Sequence, residues 1–232
     1  MDKSLPTPDK NLQIITKEKI LLFAPNIVGY FRITFLIISF VFFYSNPILF
    51  MIFYGASYIL DFVDGMLARR FHQCSRFGAL LDMMTDRCAT ISMLVLLGHL
   101  YGSYYLCFFV FNGILDMVSH WYQMYTCVLI GASTHKAGDK NETFLVRIYY
   151  MKYFLFTCVL GAELTSILFY LKIQMPDLYR ITPVIQYIHY CAFAIFSYKQ
   201  MISVFQLKKS LSRLLDIDLN KEDRARIASG HS

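Results

Sequence analysis

The chain has 232 residues, of which 56% are hydrophobic, 17% aromatic and only 16% charged. This is more apolar surface than a soluble domain of this length normally buries, so the composition indicates a membrane protein. The net charge of +6 also occurs in nucleic-acid binders, but here the basic residues lie between and after apolar runs rather than in a hydrophilic basic domain. We therefore expect no nucleic-acid partner.

The first 25 residues are expected to form a cytoplasmic and interfacial segment. They are polar to about Asn11, so we expect no cleavable signal peptide, and the first apolar run is expected to direct insertion at the endoplasmic reticulum. The stretch from Leu12 to Ala24 has the character of a helix that lies at the membrane surface.

Six apolar runs follow, each of roughly 18 to 25 residues and long enough to cross the hydrocarbon layer as an α-helix. They lie near 26–45, 47–68, 78–100, 104–130, 148–171 and 182–206. We predict an all-α integral membrane protein with six transmembrane helices. Residues 26–206 would form one membrane domain, and residues 207–232 a basic cytoplasmic tail.

The distribution of Lys and Arg predicts the orientation of these spans. Basic residues crowd the N-terminal segment, the second-to-third connection, the fourth-to-fifth connection and the tail, whereas the opposite side has little more than Lys172 and Arg180. By the positive-inside rule both termini are cytoplasmic, which requires an even number of spans. The tail carries Leu207, Leu211, Leu214 and Leu215 on one helical face, and this face either lies on an anionic leaflet or packs on the protein itself.

Four aspartates lie where the second apolar run ends and the third begins, at Asp61, Asp64, Asp82 and Asp86. Within each pair the spacing is three or four residues, so each pair projects from one face of its helix. A charged side chain at the centre of a membrane helix costs about 2.5 to 3.5 kcal/mol, so such residues need a functional reason. Because the two helices form a hairpin, we expect the carboxylates to meet at the depth of the cytoplasmic headgroups.

Carboxylates that share a small volume repel one another unless they are protonated or neutralised by cations. A ligand set made only of oxygen suits Mg²⁺ or Mn²⁺ better than zinc. The sequence therefore predicts a two-metal site held by these four aspartates.

The end of the second run adds groups that suit a nucleotide diphosphate. Gly65 and Ala68 leave a strip of the helix without large side chains beside the carboxylates. Arg69, four residues after Gly65, is placed to bind a phosphate through its guanidinium, and Ser75 in the short connection adds a hydroxyl. We therefore predict a nucleotide diphosphate site here.

Two other interpretations of the carboxylates are open. One is a purely structural pairing with arginines near the helix ends, which are Arg69, Arg70, Arg76 and Arg87. The other is a non-enzymatic cation transporter, although transport predicts acidic groups near the bilayer midplane rather than at one interface.

Residues 64–86 read Asp-Gly-x-x-Ala-Arg, then eight residues, then Gly-x-x-x-Asp-x-x-x-Asp. This order resembles the complete signature of the CDP-alcohol phosphatidyltransferases, preceded by an additional aspartate three residues upstream. The resemblance implies that all four aspartates bind metal and that Asp86 is also the catalytic base. It further implies that Gly65 and Arg69 hold the CDP part of CDP-diacylglycerol, whereas Ser75 occupies a position that is threonine in relatives.

From about Pro25 to Leu171 the chain resembles, more specifically, the eukaryotic phosphatidylinositol synthases of that family. The stretches that carry this likeness are residues 25–32, 76–88, 119–121, 133–136, 147–150 and 161–163. The resemblance implies a multi-pass transferase of phospholipid biosynthesis in the endoplasmic reticulum membrane, with its active site facing the cytoplasm and a homodimeric assembly. It would transfer the phosphatidyl group from CDP-diacylglycerol to myo-inositol; the alternative is the same fold with glycerol 3-phosphate or serine as the acceptor.

The substrate pocket beyond the signature rests on weaker signals. Basic residues at the cytoplasmic ends of spans also serve topology or lipid contact. Asp116 and His120 inside the fourth run, and Glu163 inside the fifth, belong either to a buried pair that fixes helix packing or to a polyol site. The candidate pocket residues are Asn26, Arg32, Ala68, His135, Lys136 and Arg147.

Overall fold

The computed structural model describes residues 16–130 and 152–228. Within these ranges every regular element is an α-helix, which confirms the predicted all-α class. The chain separates into two compact units, Met1–Asp86 and Arg87–Ser232, and each is described by itself.

The first unit contains a short helix, two long helices and the first turns of a fourth. They are α1 (Lys17–Leu21), α2 (Ala24–Phe42), α3 (Pro47–Arg70) and the start of α4 (Arg76–Tyr101). Both α2 and α3 have proline in their first positions, where a helix needs no backbone N–H. The Asn46 side chain caps α3, because its Oδ1 accepts hydrogen bonds from the first free N–H groups of that helix.

Helices α2 and α3 pack against each other through aromatic rings and one buried hydrogen bond. The ring centroids of Phe35 and Phe53 lie 5.8 Å apart, and Phe43 packs edge to face on Phe50 with ring centroids 5.1 Å apart. Further along, the Ser57 hydroxyl donates to the backbone carbonyl of Arg32 at 3.1 Å. This packing holds the Arg32 side chain beside the C-terminal half of α3.

The connection from α3 to α4 is hydrogen-bonded to the start of α2. After α3 ends, His72 adopts a φ of 53°, in the left-handed region. The Gln73 Oε1 accepts a hydrogen bond from the Ala24 N–H at 2.9 Å, and the Ser75 hydroxyl accepts one from the Gly78 N–H at 2.9 Å. These contacts fix both ends of the connection, which carries the nucleotide candidate Ser75.

The second unit contains the remainder of α4 and four further helices. They are α5 (Ser103–Leu129), α6 (Lys152–Gln174), α7 (Pro176–Ile181) and α8 (Pro183–Ala228). Gly102, with a φ of 88°, makes the tight turn between α4 and α5. The Tyr101 hydroxyl donates to the Phe169 carbonyl at 2.9 Å, and the Phe169 ring packs edge to face on Phe109. These contacts join the end of α4 to α5 and α6.

Three helical segments in the described part of the chain are long and apolar enough to cross a membrane. They are Ala24–Phe42, Pro47–Arg70 and Phe154–Gln174. The other predicted spans coincide with α4, α5 and α8, which are long enough but are not among the helices that meet this requirement for apolarity. The protein is therefore a helical membrane protein, and the count of six spans stays a prediction.

The exposed and buried side chains of both units fit a lipid environment. Val41, Ile59 and Phe111 are each about two thirds exposed, whereas Arg32 and Asp116 are buried. An apolar exterior around a partly polar interior is what a bilayer permits, because ionisable groups in membrane segments face the protein interior.

The two flanking segments differ in how far the structure describes them. Helix α1 lies within the predicted interfacial stretch, and the residues before Thr16 lie outside the described part. At the other end, α8 runs from Pro183 to Ala228 without a break at residue 206, where the tail was expected to begin. After Pro183 the helix contains neither glycine nor proline, so no residue interrupts its backbone hydrogen bonds.

Candidate metal and nucleotide site

Each terminal nitrogen of the Arg32 guanidinium contacts one carboxylate from α3 and one from α4. Nη1 donates to Asp64 Oδ2 at 2.9 Å and to Asp82 Oδ1 at 2.8 Å. Nη2 donates to Asp86 Oδ1 at 2.6 Å and lies 2.5 Å from Asp61 Oδ1. The four aspartates of the predicted metal site are therefore gathered around a single arginine of α2.

The members of this carboxylate cluster differ in their access to solvent. The Arg32 side chain is 4% exposed and that of Asp64 10%. By contrast, the side chains of Asp61, Asp82 and Asp86 are between a third and a half exposed. The cluster thus has a buried inner side formed by Arg32 and Asp64 and an open outer side that a ligand can reach.

The donor set of the cluster fits a divalent metal. Asp61, Asp64 and Asp82 each offer a carboxylate oxygen, and these oxygens lie within 4.8 Å of one another. Four carboxylates around one guanidinium leave an excess of negative charge, which divalent cations would neutralise. Closely spaced carboxylate oxygens are the type of ligand that Mg²⁺ and Mn²⁺ prefer.

A cavity of about 140 Å³ opens beside Asp64 and Asp82. Its wall combines the end of α3, the connection to α4 and the start of α2. Four predicted substrate or nucleotide candidates contribute to that wall, namely Asn26, Gly65, Ala68 and Ser75. The structure therefore brings the small-residue strip, the connecting hydroxyl and two of the carboxylates to one cavity.

The other candidates lie elsewhere. Arg69 is exposed in the last turn of α3, and its guanidinium lies beside Gly65. A Cβ added to Gly65 would lie 3.6 Å from Arg69 Nη1. Arg32, a candidate of the substrate pocket, has its guanidinium among the carboxylates. The remaining candidates lie outside the described residues: His135, Lys136 and Arg147.

Two features of this site were missed by sequence reasoning. One is Gln73, which lines the cavity and links the connection to α2 by a hydrogen bond. No sequence pattern marks a glutamine in a polar turn as part of a site. The other is the pairing of Arg32 with all four aspartates. A signal for it existed, because Arg32 is an ionisable residue inside an apolar run and such residues need a partner.

Gly78→Ala is expected to disturb this cavity. A Cβ at Gly78 would lie 2.7 Å from Asn26 Oδ1. The Asn26 side chain is buried and held by a 2.6 Å hydrogen bond to the Ile20 carbonyl, so it cannot easily move away. We expect a loss of about 1 to 3 kcal/mol of stability, as for other overpacked sites. We also expect weaker binding of CMP, the nucleotide part of the substrate that the resemblance implies.

The measurement is the melting temperature in detergent micelles with and without CMP. Gly55→Ala in α3 is the matched control, because a Cβ there meets nothing within 4 Å. It should leave stability and CMP binding unchanged or slightly improve stability. A Gly78→Ala variant that behaves like this control would contradict the expectation.

A second set of buried charges lies within the second unit and joins α4, α5 and α8. The Asp116 carboxylate accepts a hydrogen bond from Arg87 Nη1 at 2.5 Å and another from Lys199 Nζ at 2.8 Å. His120 Nδ1 lies 2.8 Å from the Asp116 backbone carbonyl but 3.8 Å from its carboxylate. Of the two interpretations of Asp116 and His120, this geometry favours helix packing, with Lys199 and Arg87 as the partners of the carboxylate.

Comparison with known proteins gives one family. The sequence profile of the CDP-alcohol phosphatidyltransferases matches residues 22–178, which include the carboxylate cluster and the cavity. A Candida albicans protein named CDP-diacylglycerol--inositol 3-phosphatidyltransferase is 37% identical over 92% of this chain and 94% of its own length. An Arabidopsis thaliana protein named CDP-diacylglycerol--inositol 3-phosphatidyltransferase 1 is 34% identical, over 96% and 98%. A Homo sapiens protein with the same name as the Candida protein is 45% identical, over 66% and 72%.

No solved structure matches the chain significantly. The profile match nonetheless covers well over half of the chain, and it includes every residue of the carboxylate cluster. The chain belongs to the CDP-alcohol phosphatidyltransferase family.

Proposed function

We propose that this chain is a membrane enzyme that transfers the phosphatidyl group of CDP-diacylglycerol to myo-inositol and releases CMP. The observation that carries the proposal is the convergence of four aspartates beside a cavity lined by Gly65, Ala68 and Ser75. The choice of acceptor is supported by relatives that are named for inositol and align with nearly the whole chain.

The four aspartates would hold Mg²⁺ or Mn²⁺, in a two-metal arrangement. Bound cations of this kind neutralise the charge that develops on a diphosphate during displacement. The aspartates supply oxygen ligands from two helices, with Asp64 on the buried side and Asp82 on the exposed side. Ligands from both helices would keep the site rigid with respect to the cavity.

The cavity would receive the CDP part of the lipid substrate. Gly65 and Ala68 leave the surface of α3 flat next to Asp64, so a ring or a diphosphate can approach the helix closely. The Ser75 hydroxyl lies at the cavity wall and Arg69 lies above Gly65, where its guanidinium can pair with a phosphate. The acyl chains would remain in the membrane.

Asp86 would act as the general base. Its Oδ1 accepts a hydrogen bond from Arg32, which orients the carboxylate, and about a third of its side chain is exposed. Asp86 takes the proton from an inositol hydroxyl while that oxygen attacks the phosphorus nearer the lipid. A new P–O bond to inositol forms, the bond to the bridging oxygen of the diphosphate breaks, and CMP leaves with the electron pair.

The cellular setting belongs to the same proposal. Six transmembrane helices with both termini in the cytoplasm would place the carboxylate cluster at the cytoplasmic surface of the endoplasmic reticulum membrane, in a homodimer. The asymmetric distribution of Lys and Arg supports this orientation. His135, Lys136 and Arg147 remain candidates for the acceptor side of the substrate pocket, and Asn26 for its nucleotide side.

The acceptor is tested with purified protein in detergent micelles, supplied with labelled CDP-diacylglycerol and Mn²⁺ or Mg²⁺. Inositol, serine and glycerol 3-phosphate are offered in turn, and the lipid products are separated. We expect phosphatidylinositol with inositol, no lipid product with the other two acceptors, and no product in EDTA. Transfer to serine or glycerol 3-phosphate at a rate similar to that with inositol would refute the proposed acceptor.

A further inference from the structure

Both terminal nitrogens of the Arg32 guanidinium contact the aspartates of the carboxylate cluster. Arginine has five N–H donors, of which four are on the terminal nitrogens. Those two nitrogens make four contacts, each to a different aspartate and each between 2.5 and 2.9 Å. Nη1 joins Asp64 of α3 to Asp82 of α4, and Nη2 joins Asp61 of α3 to Asp86 of α4. One side chain therefore cross-links two helices twice.

Burial makes this arrangement strongly interdependent. The Arg32 side chain is 4% exposed, so its charge is stable only because the carboxylates surround it. In the same way, the carboxylates would repel one another without a cation between them, most severely at the buried Asp64. The backbone of Arg32 is also anchored, since its carbonyl accepts the hydrogen bond from Ser57.

The contacts are compatible with ligation of a metal by the same residues. Arg32 reaches Asp61, Asp82 and Asp86 through Oδ1 and Asp64 through Oδ2, so the contacts use one oxygen of each carboxylate. An ionised carboxylate has two oxygens and several acceptor sites. Guanidinium and divalent cation can therefore share the four aspartates, but each lowers the negative potential that attracts the other.

We propose that Arg32 is the resident counter-ion of the metal site: a positioning residue that holds the four aspartates together and shares them with the divalent cations in electrostatic competition. This inference rests on the metal site of the proposed function, but not on the identity of the acceptor alcohol. It assigns Arg32 to the carboxylates rather than to the substrate pocket.

The test compares melting temperatures in detergent micelles, in EDTA and in saturating MnCl₂. Arg32→Met removes the charge and keeps an unbranched apolar side chain. In EDTA we expect its melting temperature to lie about 10 °C below that of the wild type, because uncompensated buried carboxylates remain. In MnCl₂ the deficit should shrink to about half or less, because Mn²⁺ then supplies the missing positive charge.

Two further variants are controls for the comparison made with Arg32→Met. Ser57→Ala removes the hydrogen bond to the Arg32 backbone without changing charge, so its deficit should be the same in EDTA and in MnCl₂. Arg32→Lys keeps the charge with fewer donors, so its deficit in EDTA should be smaller than that of Arg32→Met. If Arg32→Met cannot be purified in EDTA, it is purified in MnCl₂ and then dialysed against EDTA.

An Arg32→Met deficit that is equal in both conditions, or larger with Mn²⁺, would overturn the proposal and leave Arg32 as a packing residue. A wild type whose melting temperature does not respond to Mn²⁺ would overturn the metal site itself. The acceptor assay is separate: transfer to an alcohol other than inositol would refute the proposed acceptor while leaving the melting comparison intact.

Discussion

Asp86→Asn is expected to abolish phosphatidyl transfer while leaving nucleotide binding largely intact. The amide can still accept the hydrogen bond that Asp86 Oδ1 receives from Arg32, so the local geometry should persist. It cannot, however, take a proton from the acceptor hydroxyl. Loss of a general base alone reduces rates by about 10²- to 10⁴-fold, and the loss of a carboxylate that we propose as a metal ligand should add to this.

The measurement pairs two assays on the same purified variant. Phosphatidylinositol formation from labelled inositol gives the activity, and CMP binding gives the nucleotide affinity. Asp177→Asn in α7 is the matched control, because Asp177 is an exposed aspartate of the second unit and should keep full activity. Near-normal turnover in Asp86→Asn would assign the base to another residue.

Asp116→Asn is expected to be among the most destabilising single substitutions in the second unit. Asp116 is 1% exposed, and its carboxylate receives hydrogen bonds from both Arg87 and Lys199. The amide removes the negative charge, so two positive charges remain close together in the interior. Breaking a buried ion pair by removing one partner costs about 3 to 5 kcal/mol, and the melting temperature in micelles should fall accordingly.

A double variant distinguishes charge pairing from simple packing. Asp116→Asn combined with Lys199→Met removes both members of one pair, so it should be less destabilised than the sum of the two single variants. Asp218→Asn, at an exposed position of α8, is the control and should change little. Strictly additive losses in the double variant would show that the Asp116–Lys199 contact contributes no coupling.

The sequence predicted more of the carboxylate cluster than of the buried charges around Asp116. For the first, helical spacing predicted that Asp61 and Asp64 share a face, as do Asp82 and Asp86, and the structure brings all four to one point. For the second, the spacing of Asp116 and His120 drew attention to a local pair. The carboxylate instead pairs with Arg87 and Lys199, which are 29 and 83 residues away and have no periodic relation to it.

The amino-acid sequence by itself determined the helical class, the membrane character and the residues of the CDP-alcohol phosphatidyltransferase signature. These features depend on composition and on spacings of three or four residues, which local backbone geometry translates directly into helix faces. The α3–α4 hairpin was likewise predictable, because a short connection between two helices brings their adjoining ends together.

The tertiary structure alone decided which cations neutralise the buried carboxylates. Four arginines near the helix ends were sequence candidates for the aspartates of the signature, yet the guanidinium that contacts all four comes from Arg32, 54 residues before Asp86. Similarly, Arg87 contacts Asp116 instead. Ion pairing at this range depends on which helices pack side by side and on which charges that packing shields from water, and neither is encoded in local periodicity.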